Sequence, residues 1–183
     1  MPGITIELPP QKQQTEFNLR RWAEILDDPE LAKVPGRIET DRYGNIIMSP
    51  PPAPNHGNFQ IEVGHLLRQL LPNGRTISEC PISTADGVKA ADVAWSSHER
   101  WTELAGRACF TSAPEICVEV LSPRNSEAEI REKMALYFDA GAQEVWVCGS
   151  FGRISFYAAG MVELTSSAPC PRFPRKIAPN SGD

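Results

Sequence analysis

The stretch APEICVEVLSP, residues 113–123, sets the strongest condition on the fold of this chain. Ile116, Cys117, Val118, Val120 and Leu121 are apolar, and prolines stand at 114 and 123. A short apolar run between such turn formers is a buried strand. Glu119 sits in the middle of it. A carboxylate there forfeits hydration worth several kcal/mol unless a partner meets it. KAADVAW repeats the problem, with Asp92 between Ala91 and Val93. Any fold for this chain must therefore neutralise or pair a carboxylate on each of two inner strands.

The rest of the pattern supplies layers to cover those strands. Phe17, Trp22, Ile25 and Leu26 have helical spacing, limited by Pro29. Residues 37–49 read as a hairpin turning at Gly44 and Asn45. The proline run 50–54 leads into a helix, with Asn55 as its expected N-cap and Phe59, Val63, Leu66, Leu67 and Leu70 as its apolar stripe. Strands are expected at GRTISEC and KAADVAWSS, and a short helix at HERWTELAG. Ser126 and Glu129 have capping-box spacing, Ile130, Met134, Tyr137 and Phe138 form an inward face, and Gly141 ends that helix. EVWVCG and RISFYAAG complete the sheet, and MVELT adds an edge strand. Residues 2–14 and 166–183 are read as peripheral. The expectation is a single domain over 1–183 with its core at about 17–165: an α/β (α+β) fold with a central mixed sheet flanked by helices.

Composition narrows the function. A net charge of −5 speaks against a protein that coats nucleic acid non-specifically, which needs basic groups on phosphates. It is compatible with an acidic site offset by a bound cation. Five cysteines without a CxxC pair fit core thiols, Cys117 and Cys148 among them, and a reducing cytoplasmic compartment. No apolar run approaches the about 18 residues of a membrane span, and no secretory signal opens the chain. Walker, GxSxG and dinucleotide-binding glycine patterns are missing too.

Two carboxylates on neighbouring strands repel each other. Three arrangements relieve this: one holds a proton, a lysine pairs with them, or a divalent metal binds both. Hard oxygen ligands suit Mg²⁺ or Mn²⁺. Lys133, three residues after Ile130 and four before Tyr137, borders the apolar stripe of its helix. It can reach solvent along the helix edge or aim at the carboxylates. His56 opens the second helix, where packing or capping is the plain role, and Glu39 lies on the first hairpin strand, where a solvated face is the plain role.

RIETDRYGNIIMSPPPAPNHGNF, KAADVAW, PEICVEVLSPRN and KMALYFDAGAQEVWV occur in an order and spacing that resembles the Uma-two-type putative restriction endonuclease family. That family has the restriction-endonuclease-like, PD-(D/E)XK nuclease fold, and the resemblance runs from about Arg37 to Tyr157. It implies that Asp92 and Glu119 are the two motif carboxylates and hold one Mg²⁺ (or Mn²⁺) together with the backbone carbonyl of Val120. It implies a catalytic lysine, and the chain departs from the motif at two places, the first touching strand entry more than chemistry. Ala91 stands where the motif has proline, and Leu121 stands two residues after the glutamate, where the lysine belongs. Lys133 is the natural substitute. Glu39 and His56 match characteristic positions and are expected to line the same cleft. Lys89 and Arg124 are candidate phosphate contacts. The function implied is Mg²⁺-dependent hydrolysis of DNA phosphodiester bonds, with a homodimer plausible for cutting two strands. Two alternatives stand beside it: a nuclease-fold module that binds nucleic acid or protein without catalysis, and a phosphodiesterase acting on a small nucleotide.

Overall fold

The computed structural model describes residues 11–104 and 106–177. The expected mixed sheet is present. Its six strands run in the order β3 (Gly74–Thr84), β4 (Gly87–Ser97), β5 (Ile116–Val120), β6 (Glu144–Cys148), β7 (Ile154–Ala158) and β8 (Val162–Leu164). Only β5 and β6 pair in parallel; every other pair is antiparallel. A parallel pair needs a crossover, and α4 (Glu127–Asp139) supplies it. The capping box of Ser126 and Glu129 starts that helix as expected, and Gly141, at φ 101°, follows its end.

The alternation along β5 sorts the core into two layers. Ile116, Val118 and Val120 pack with Phe59, Val63 and Leu67 of α2 (Pro54–Leu70). Cys117 packs on the opposite face with Ile130, Met134 and Tyr137 of α4. By the same period-two rule Glu119 points toward α4. α2 starts two residues earlier than the expected cap implies. Ala53 is the N-cap and Pro54 the first helical residue, whose missing N–H needs no acceptor; Asn55 lies inside the helix.

A separate hairpin, β1 (Arg37–Thr40) and β2 (Ile46–Ser49), lies against β4. Val88 N–H donates to Thr40 Oγ1, and Ala90 N–H donates to Glu39 Oε1 at 2.9 Å. Gly87, at φ 83°, permits this approach, because a Cβ there would collide with the carbonyls of Thr40 and Asp41. Lys89 closes the contact, its Nζ 3.0 Å from Thr40 O and 2.9 Å from Asp86 Oδ2. It is buried and occupied, which removes it as a phosphate contact.

Described parts of the two segments read as peripheral reach the core. The helix α1 (Gln11–Asp27) buries Gln14 and Asn18 beside Trp22 and Ile25, while the expected core residue Leu26 is exposed. Asn18 Nδ2 donates to Ser83 Oγ and Thr84 O, and Gln14 Nε2 to Arg42 O, so buried polar groups are satisfied by the two hairpins. At the other end Ser167, Cys170, Phe173 and Ile177 are buried. Phe173 stacks 4.6 Å from Trp146, and the N–H groups of Ile154 and Ile177 bond to Arg175 O and Gly152 O. We expect Phe173→Ala to lower stability by about 3–5 kcal/mol, read as a fall in the denaturant midpoint. A surface-like effect below about 0.5 kcal/mol would show the segment is not part of the core. Residues 2–10 and 178–183 of the two end segments lie outside the described residues. All five cysteines are free and buried.

Candidate active site

The last paired residues between β4 and β5 are Val93 and Val118, and Asp92 and Glu119 follow directly. Here side chains replace the ladder. Asp92 Oδ2 accepts the N–H of Val120 at 2.6 Å, and Asp92 Oδ1 accepts from Arg37 Nη1 at 2.8 Å. His56, the third residue of α2, lies with Nε2 3.3 Å from Asp92 Oδ2. Burial pushes the Asp92 carboxyl up, but His56, Arg37 and the Val120 N–H outweigh it and leave it below the usual range. The His56 imidazole is correspondingly raised, chiefly by its bond to Asp92.

Glu119 is served from the other side. Tyr137 O–H donates to Oε1 at 2.7 Å, and Lys133 Nζ lies 3.4 Å from Oε2. Lys133 also donates to Glu39 Oε1 at 2.8 Å and reaches Ala90 O at 3.4 Å. The helix spacing that put Lys133 beside Ile130 and Tyr137 thus carries its ammonium to the carboxylates rather than to solvent. Burial pushes Glu119 up to about 7; Lys133 opposes this and Asp92 adds to it. Glu39 is buried, with only 7% exposure, so the solvated strand face expected for it is not what forms. It stands against Lys133 and the Ala90 N–H, and the open cleft carries His56 without it.

Three participants had no place in the sequence reading. Arg37 bonds Ala90 O at 2.9 Å besides Asp92, and its Nε lies 3.5 Å from Glu79 Oε2. Glu79 has φ 48°, and the β3–β4 ladder is broken where it faces Asp92. Gln60 bridges the gap, its Nε2 2.8 Å from both Glu79 Oε1 and Asp92 O. Such a strained non-glycine residue beside buried charge is a mark of a functional site. The spacing Arg37-x-Glu39 on one strand was the readable signal for Arg37; Glu79 and Gln60 had none.

A cleft of about 1140 Å³ opens onto this region, lined on the site side by Arg37, His56, Gln60, Glu79 and Ala90. Leu31, Val34 and prolines 50–52 line it too, as does the exposed Arg124.

The model of the family described as "Putative restriction endonuclease" (Uma2) matches residues 22–156. The chain belongs to the Uma2 family. A solved structure with the same fold is described as a putative nuclease belonging to DUF820 from Anabaena variabilis. It shares 21% identity, with a TM-score of 0.60, over 74% of this chain and 80% of that one. No curated protein matches the chain. Among the described residues no helix is long and apolar enough to cross a membrane.

The donor set of this Uma2 chain fits a hard divalent cation in kind. Four carboxylates (Asp92, Glu119, Glu39, Glu79) face two permanent cations, Arg37 and Lys133. The upward push on Glu119 comes first from burial, with the neighbouring Asp92 charge adding to it. Among the described residues no three His, Cys, Asp or Glu side chains converge as a complete ligand set. A metal here would rest on the Asp92 and Glu119 pair completed by the Val120 carbonyl and by water.

Proposed function

We propose that this Uma2 protein is a Mg²⁺-dependent endonuclease that hydrolyses DNA phosphodiester bonds. The observation that carries the reading is the buried Asp92–Glu119 pair with Lys133 brought onto it from α4. Asp92, Glu119 and the Val120 carbonyl would hold Mg²⁺ or Mn²⁺, which supplies charge neutralisation at the phosphate and a lowered pKa for water. Lys133 stabilises negative charge developing on the phosphate, and Glu39 holds its ammonium in place. His56 and the Val120 N–H fix the Asp92 carboxylate so that it does not reorganise during reaction. Arg124, exposed in the lining of the cleft, would meet phosphate. Cleavage of both strands would call for two such sites, hence a pair of chains.

A second reading, a binding module without catalysis, is favoured by Leu121 in the usual lysine position and by donors already on each oxygen of the pair: Arg37, Val120 N–H and His56 on Asp92, Tyr137 and Lys133 on Glu119. Supercoiled plasmid incubated with Mg²⁺ or Mn²⁺ separates the two. Nicking is expected for the native protein, stopped by EDTA and lowered at least about 100-fold in Glu119→Gln. Nicking that survives EDTA and the substitution would overturn the endonuclease reading. Mn²⁺ binding without nicking would favour the module.

A further inference from the structure

The cleft meets the carboxylate pair through intermediaries. Asp92 and Glu119 are only 1% and 3% exposed, so neither offers an oxygen to an ion or phosphate arriving from outside. Between Asp92 and the cleft stand Arg37 and His56, both of which line it. Arg37 is the one that occupies Asp92 Oδ1, at 2.8 Å. We propose that Arg37 is a displaceable counter-ion: it holds Asp92 closed in the ion-free protein and swings into the cleft when a divalent ion takes the carboxylate, there to grip the substrate phosphate. This rests on the divalent-ion site proposed above.

Four observations favour Arg37 for that part. Its side chain is 22% exposed and already borders the open volume. The second acid holding it, Glu79, is 44% exposed and lies at 3.5 Å, a loose tether. Lys133, by contrast, is fixed between Glu39 and Glu119, whose side chains are nearly buried. Among the residues lining the cleft, Arg37 and Arg124 are the permanent cations, so an incoming phosphodiester has few other charges to meet. A guanidinium fork matches two phosphate oxygens in one plane, which a lysine cannot do.

The consequence is an opposition between ion and substrate binding. Arg37→Met removes a cation from the ion's carboxylate, so Mn²⁺ measured by calorimetry should bind at least about tenfold tighter. The same variant should raise the KM for a cleaved oligonucleotide at least about tenfold, the phosphate contact being lost. Arg37→Lys, which keeps the charge on a shorter reach, should lie between the two on both measures. A residue that merely supports the fold would weaken both. The rise in melting temperature on adding Mn²⁺ gives the ion comparison again should Arg37→Met be poorly soluble, and it should be larger in that variant. If the native protein binds Mn²⁺ and Arg37→Met binds it equally or more weakly, the inference fails while the site stands. If neither protein binds Mn²⁺, the divalent-ion reading fails and takes this one with it.

Discussion

Lys133→Met is expected to reduce plasmid cleavage by at least about 100-fold while leaving Mn²⁺ affinity within a small factor. Methionine keeps the length and apolar stem of the side chain, so packing against Ile130 and Tyr137 is retained. What disappears is the ammonium that bonds Glu39 at 2.8 Å and approaches Glu119 at 3.4 Å. Two nearly buried carboxylates are then left without their cation. Breaking a buried pair from one side costs about 3–5 kcal/mol, so the ion-free variant should also unfold at lower denaturant. Added Mn²⁺ should raise the denaturant midpoint of the variant and of the native protein by similar amounts, as similar affinities require. Full cleavage by Lys133→Met would show that the lysine position left vacant by Leu121 has no substitute on α4.

Asp92→Ala should remove ion binding and cleavage together, bringing nicking down to the level seen in EDTA. The carboxylate is the hub of the cleft-side network. Arg37, His56 and the Val120 N–H all converge on it. Without it, the Val120 N–H loses its acceptor inside the protein while Arg37 keeps Ala90 O and Glu79, and a stability loss of about 1–3 kcal/mol is expected. Asp92→Asn separates charge from hydrogen bonding: it should keep most of the stability but none of the Mn²⁺ affinity by calorimetry. Nicking equal to that of the native protein in either variant would exclude Asp92 from the chemistry.

The two acids were legible because each interrupts an apolar strand, a conflict between local burial and charge that only a specific partner resolves. Lys133 was legible for a related reason, since helical spacing placed it at the margin of a buried stripe. Arg37 was less so: it precedes Glu39 by two on the same strand face, but a four-residue strand gives no sign of which element it will meet. Glu79 could not be found at all. Its left-handed backbone arises from a tertiary interruption of the ladder opposite Asp92, and the sequence ISEC carries no glycine to announce it. The polar faces of Gln14 and Asn18 misled for the opposite reason. Burial was assigned to apolar residues, whereas these amides are held inside by carbonyls of hairpins far along the chain. The C-terminal segment was missed because its anchors, Cys170, Phe173 and Ile177, are separated by proline-rich stretches that follow neither helical nor strand periodicity.

That C-terminal segment has a bearing on how the protein is made. Synthesis delivers the chain from the N-terminus, so all eight strands can leave the ribosome before Phe173 does. Until then Trp146 and Phe156, which Phe173 covers in the finished molecule, form an open aromatic surface on a nearly complete sheet. Such a partly assembled species invites contact with neighbouring nascent chains. Phe173 therefore covers this aromatic layer only after the strands beneath it are made, and a product terminated before residue 173 would be a natural client for chaperones and proteases.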